Sequence, residues 1–260
     1  QSIVIIVVTI SLILLAYLAL SKLWPAQKEL SKLLAIGTSI CGVTAIMASS
    51  SVLKSKDYEV GLAVLVVILW GSLAVFIYPV FIEWYFISDL AKGVFLGIGI
   101  HDTSQVLAAA MVHSDLYQNN KVLEVATITK LLRNLFIVLL IPTLVILKNK
   151  GNNDNPKNSP LMKSIINSIP LFVLGFITLI FFRTMIDTFY VNSEIWGTIF
   201  KVSEKVTTIL FGLALTALGA SINLKKIFNQ GYTPILIGMV FSLVTFFSVC
   251  ILISILGLNI

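Results

Sequence analysis

His101 and Asp102 stand side by side in the stretch GIGIHDTSQVLAAA, residues 97 to 110. Lys92 is the nearest charge before them, and the apolar run from Val106 to Val112 follows. Ionisable groups inside a spanning segment are expensive unless they face a cavity or a partner, so they read as functional by default. Histidine titrates near neutral pH and can carry a proton, and a neighbouring carboxylate can share or gate that proton. His101 and Asp102 are therefore the candidate proton-coupling residues; the structural alternative is an imidazole–carboxylate hydrogen bond. If this stretch is one helix, His101, Ser104 and Gln105 share a face by their i, i+3, i+4 spacing. Ser104 and Gln105 then join the candidate substrate-binding set.

A second polar island, GTSICGVTAIMAS at 37 to 49, lies in an otherwise apolar run. Its Thr38, Ser39 and Gly42 have two readings. Small residues let helices pack closely, or the helix breaks at mid-membrane and offers free N–H groups and a positive dipole end to an anion. Aligning Ile36-Gly37 with Ile98-Gly99 places a polar cluster after each glycine and an Ala-ended run beyond, an internal echo. A third stretch, ATITKLLRNLF at 126 to 136, sets Lys130 and Arg133 three apart, with Thr127 and Asn134 flanking the same face. Lys130 is about 12 Å into its segment at the rise of an α-helix. Both cations could snorkel to the interface, or face inward as a pair suited to a carboxylate, sulfonate or sulfate. The stripe TTILFGLALTALGAS at 207 to 221 reads first as a helix-packing seam.

The elements that position these groups must lie in lipid. Hydrophobic residues make up 58% of the 260 and charged residues 12%, against about 25% charged in soluble domains. Mean hydropathy is +1.00. A bilayer crossing needs about 20 apolar residues, and eight segments qualify, at roughly 2–20, 33–53, 59–81, 91–113, 122–147, 165–183, 200–221 and 233–257. Backbone groups in lipid must pair within their own segment, and no barrel-like alternation is present. The fold expected is all-α: a polytopic transmembrane helix bundle with broken helices and inverted repeats, forming one domain over 1–260. The Asn-, Lys- and Pro-rich stretch at 148–163 is expected as a polar loop between two halves. If all eight segments cross, the loops alternate sides, and the Lys/Arg excess puts 148–163 in the cytoplasm. One re-entrant segment would invert everything after it. Glu83, Trp84 and Tyr85 read as an interfacial belt.

The net charge of +6 follows from loop lysines rather than from a basic patch with interleaved aromatics, so nucleic acid is not an expected partner. Cys41 and Cys250 have no Cys or His company, and neither a disulfide nor a metal site is expected. No Ser/His/Asp order, HExxH or GxxxxGK[ST] occurs, so the chain is not expected to be an enzyme or an ATP-driven pump, and no cofactor is expected. The chain opens at Gln1 in an apolar run and reads as lacking its natural start.

Four motifs in order, IGTSICGVTAIMA at 36–48, IHDTSQVLAAA at 100–110, ITKLLRNLF at 128–136 and ALTALGASINLKKI at 214–227, resemble the sulfate exporter family of YeiH-like bacterial membrane proteins. The resemblance covers residues 1 to 257 and matches the C-terminal three-quarters of that family. One member has Glu at the position of Asp102 and Val-Ala at Thr103-Ser104, so a carboxylate is retained. The resemblance implies a helical bundle with inverted repeats in the bacterial inner membrane, exporting sulfate or a sulfonate. It implies Thr38, Ser39, Gly42, His101, Asp102, Gln105, Lys130 and Arg133 as site-lining residues. The expected function is thus a secondary transporter of a small oxyanion working by alternating access, with protons as the coupling ion. Alternatives are a sodium-coupled or uniport carrier of organic acids, and a non-transporting scaffold or sensor. The lipid bilayer and a small anion are the expected partners, and a homo-oligomer is compatible with such a bundle.

Overall fold

The computed structural model describes residues 2–151 and 231–258, with isolated positions between 175 and 216. The expected segments at 165–183 and 200–221, and the small-residue stripe at 207–221, lie largely outside the described residues. Among the described residues every regular element is helical: α1 (Ser2–Leu23), a 3-10 turn (Pro25–Gln27), α2 (Lys28–Ser39), α3 (Val43–Leu53), α4 (Asp57–Tyr85), α5 (Asp89–Gly99), α6 (Thr103–Tyr117), α7 (Asn120–Leu135), α8 (Ile137–Gly151) and α9 (Thr233–Ile255). Four stretches are long and apolar enough to cross a membrane: α1, α4, α7–α8 through Leu144, and α9.

Two apolar clusters fix the ends of the bundle. At the end called upper here, Ile82 and Phe86 pack with Ile5, Ala91 and Ile253. At the lower end, Leu62 and Val66 pack with Leu20, Leu30 and Ile237. So α1 runs down, α4 runs up and α9 runs up.

Between these spans, α5 and α6 form a hairpin. Helix α5 runs parallel to α7: a Cβ on Gly93 would meet Val125 at 2.5 Å, and one on Gly97 would meet Thr129 at 2.7 Å. The two glycines, one turn apart, let the backbones approach. Helix α6 runs antiparallel to α7. Asn134, near the end of α7, donates to Thr103 at the start of α6 (3.2 Å), and Ser114, near the end of α6, donates to Asn120 at the start of α7 (2.6 Å). Asn119 donates to Asp89 at 2.7 Å and closes the mouth. The chain therefore enters from the upper end, turns at Ile100–Asp102 and returns.

Helices α2 and α3 make the counterpart from the lower end. α2 begins where α1 ends, and Ile46 in the first turn of α3 lies against Gly37 of α2. α3 stops at Lys54, which adopts a left-handed conformation (φ 58°), and three residues later α4 starts upward from the lower end. The expectation that 33–53 and 91–113 each cross the membrane is corrected. Their arms have 11 to 15 residues, short of the ~20 a crossing needs, and the breaks reverse the chain. The loop assignment changes with it: Lys54 and Lys56 join Lys22, Lys28 and Lys32 at the lower end. The polar loop expected from 148 begins later, because α8 continues through Gly151; its remainder, 152–163, lies outside the described residues.

The expected belt at 83–85 divides. Trp84 is 86% exposed and Tyr85 is exposed, as an interfacial anchor should be. Glu83 turns instead toward Lys92 and His113.

Candidate functional site

The tips of the two hairpins meet in the interior. A Cβ placed on Gly42 would lie 3.2 Å from the Cα and 3.2 Å from Oδ1 of Asp102. Gln105, just past the second tip, donates to the Ile68 carbonyl (3.0 Å) and the Ser72 hydroxyl (3.1 Å). Those residues are near the middle of the 29-residue α4, so the junction sits at mid-depth of the bundle.

Each tip is built from its sequence. In the first, Gly42 has φ 65° and ψ −118°, the mirror of an ordinary type II turn position and the territory of glycine. The Thr38 and Ser39 hydroxyls bond back to carbonyls of their own helix, Thr38 to Leu34 (2.8 Å) and Ser39 to Ala35 (2.5 Å). What these two residues turn toward the junction is their carbonyl groups. In the second tip Asp102 is the N-cap of α6: its Oδ2 accepts from the Ser104 amide (3.0 Å) and the Ser104 hydroxyl (2.5 Å). An ionised carboxylate there satisfies an end amide and faces the positive end of the helix. No side chain caps α3 in the same way.

Stopping two helices in a dry interior leaves carbonyls that need donors. Lys130 and Arg133 of α7 supply them. Lys130 donates to the carbonyls of Ile40 (3.2 Å), Ile100 (3.0 Å) and His101. Arg133 donates to Ser39 (2.9 Å), Thr38, Ile98 and Ile100 (3.3 Å). The two side chains are 1% and 0% exposed, so neither snorkels. They bridge the carboxyl ends of α2 and α5, where the dipole is negative. The Gly93/Gly97 notch brings α7 close enough to α5 for that reach.

The site residues foreseen in the sequence separate accordingly. Gly42, Asp102, Lys130 and Arg133, with the backbone of Thr38 and Ser39, are brought together, and Ser104 joins through Asp102. One expectation is corrected, and the structural alternative offered for His101 is not what the structure shows. His101, Ser104 and Gln105 do not share a helix face, because α6 starts only at Thr103. Nor do His101 and Asp102 bond to each other in this arrangement: the imidazole Nε2 lies 2.9 Å from the Ser242 hydroxyl of α9. Gln105 leaves the junction to lock α6 onto α4, where its amide fills the notch over Gly71. Ser242 is the site residue the sequence reading missed; a serine in the apolar run 233–257 was the available signal. It also lines an apolar cavity of about 210 Å³ between α4 and α9, walled by Trp70, Tyr78 and Phe246. That lining offers an ionic group little to bind.

Two basic side chains, Lys130 and Arg133, and one acidic side chain, Asp102, are thus gathered among interior carbonyls and amides. Basic side chains beside the amino end of a helix are the kind of chemistry that recognises an anion. Among the described residues no group of His, Cys, Asp and Glu is placed to hold a metal, and Cys41 and Cys250 are buried free thiols.

Comparison with known proteins bears on this architecture. A family model described as conserved hypothetical protein 698 matches residues 1–238. A UPF0324 membrane protein of Streptococcus pyogenes serotype M18 is 31% identical over 242 residues, covering 92% of this chain and 69% of that protein. The chain belongs to this family. A second UPF0324 membrane protein, from Streptococcus agalactiae serotype V, is 32% identical over 238 residues, covering 92% of this chain and 68% of its own length. A third, from Streptococcus pneumoniae serotype 4, is 31% identical over 240 residues. The UPF0324 chain described here is thus a membrane protein, in agreement with its four long apolar helices. The relatives' names state a membrane location and no substrate. No solved structure matches.

Proposed function

We propose that this UPF0324 protein is a secondary transporter that exports a small oxyanion such as sulfate or a sulfonate, coupled to protons. The observation that carries the reading is the meeting of two oppositely directed hairpin tips at mid-depth, with Gly42 against Asp102 and both carboxyl ends held by Lys130 and Arg133. Discontinuous helices at a repeat interface are where secondary transporters bind their cargo. A hairpin followed by a span, α2–α3 with α4 and α5–α6 with α7–α8, repeats in opposite directions, and we read this as an inverted repeat. The three donors of Lys130 are on carbonyls, so the cations set the local field, and the anion is received at the amino end of α3. Asp102 occupies the neighbouring amino end while ionised; protonation removes that competing charge and admits the anion. Lys22, Lys28, Lys32, Lys54 and Lys56 gather at the lower end, which we assign to the cytoplasm of a bacterial inner membrane.

The sodium-coupled organic-acid reading needs free carbonyls near Ser39, and the Ser39 carbonyl is already bonded to Arg133. The scaffold reading accounts for Lys130 and Arg133 as donors to the carbonyls of the broken helices, but gives no reason for breaking two helices at mid-depth. Binding of radiolabelled sulfate to the purified protein in lipid nanodiscs, measured against pH, tests the proposal. Saturable binding that strengthens as pH falls is expected, with Asp102→Asn binding at all pH values. Absence of saturable binding of sulfate and of sulfonates, or an unchanged pH dependence in Asp102→Asn, would overturn it.

A further inference from the structure

At the mouth of the α5–α6 hairpin, far from its tip, one carboxylate oxygen holds both arms. Oε2 of Glu83, at the end of α4, accepts from Lys92 Nζ of α5 at 2.6 Å and pairs with His113 Nε2 of α6 at 2.9 Å. His113 is 0% exposed, and among the described residues its Nδ1 is buried without a hydrogen-bond partner. Glu83 retains partial contact with the surroundings, its side chain being 34% exposed. The groups facing the imidazole are Glu83 from α4 and, through the shared oxygen, Lys92 from α5. On α6 itself the Tyr117 ring lies 4.9 Å away. Asp89 of α5 is bonded to Asn119, and α7 presents the uncharged Asn120, bonded to Ser114.

We propose that Glu83, Lys92 and His113 form a proton-binding clasp whose protonation releases the two arms of the α5–α6 hairpin from each other. The chemistry runs as follows. With Glu83 ionised, the neutral imidazole donates from Nε2, which leaves Nδ1 as a bare lone pair and the place for an added proton. Once there, that proton makes a buried N–H with no acceptor, an unfavourable state. It also crowds an imidazolium and an ammonium onto one carboxylate, whose single negative charge offsets only one of the two. An open clasp relieves both, because Nδ1–H then reaches water. A proton that binds the open form better shifts the population toward it. The arms lead to His101 and Asp102, so the clasp acts on the tip from a distance, whatever the cargo is.

These 260 residues hold two histidines, so in this chain reconstituted in nanodiscs the imidazole ¹⁵N signals are assigned with a single His113→Gln variant. Spin labels at Leu90 of α5 and Leu116 of α6, which are 44% and 59% exposed, report the separation of the arms. The expected result is a longer arm-to-arm distance appearing as pH falls, with the same midpoint as the His113 signal. His113→Gln should hold the short distance at every pH. A distance that does not change while His113 titrates would overturn the proposal. So would a His113 that stays neutral wherever the protein remains folded.

Discussion

The two hairpins are built to one plan and end in different chemistry. The tip of α2–α3 is Ile40-Cys41-Gly42 and offers backbone: carbonyls on one side and, on the other, the amides at the start of α3, of which Ala45 is met by the Cys41 thiol. The tip of α5–α6 is Ile100-His101-Asp102 and brings its own cap and two titratable groups. The first tip needs glycine, because its turn has a conformation other residues resist. The second turns through extended backbone, ψ 136° at Ile100 and 146° at Asp102, and needs a carboxylate instead. One tip is therefore a shape and the other a charge, and Lys130 and Arg133 make a single site of them. Division of labour of this kind separates variants that unfold the junction from variants that change what it binds.

The largest effect is expected at Gly42. Gly42→Ala forces a side chain into a positive-φ position, which costs about 1–3 kcal/mol for the backbone alone, and drives a methyl group against Asp102. Gly99→Ala is the matched control on the other hairpin, since its Cβ would meet Tyr78 at 3.4 Å, an ordinary contact. Thermal unfolding in detergent should show a clear loss for the first and little for the second; equal losses would erase the distinction between the tips.

Next is Lys130→Met, which fits the same space and removes the donors to Ile40, Ile100 and His101. A buried polar group left unsatisfied costs about 1–3 kcal/mol, so the loss should rival that at Gly42, and Lys130→Arg should recover part of it. Asp102→Asn should behave differently. Asn is as good a helix N-cap as Asp, so stability should change by under about 1 kcal/mol while anion binding persists and loses its pH dependence. Ser242→Ala is expected to be mildest for the fold. It removes one hydrogen bond, about 1 kcal/mol, and frees the His101 ring, an effect visible as a shift of the His101 imidazole ¹⁵N signal.

Much of this was legible in the sequence, for reasons that can be stated. Gly42 and the Lys130/Arg133 pair were found because glycine and buried charge are conspicuous against an apolar background. The breaks themselves could be anticipated at residues 38–42. The return of the chain could not: Asp102 as a cap signals that α6 begins, not the direction in which it leaves. That direction rests on contacts far apart in sequence, such as Asp89 with Asn119 and Glu83 with both Lys92 and His113. The roles of Thr38 and Ser39 were hidden for a similar reason. Their hydroxyls drew notice, but the groups that serve the junction are their carbonyls, which every residue has. Helical spacing pairs His101 with the helix that follows it, whereas its partner, Ser242, lies 141 residues on.

The most direct test is sulfate flux in proteoliposomes bearing the full-length protein under an imposed pH gradient, with His101→Ala and Asp102→Asn reconstituted in parallel. Flux that follows the gradient in the wild type, collapses in His101→Ala and no longer responds to the gradient in Asp102→Asn is the result predicted. A well-folded protein that moves neither sulfate nor a sulfonate, or variants that transport like the wild type, would contradict the assignment of the two tips as one proton-coupled anion site.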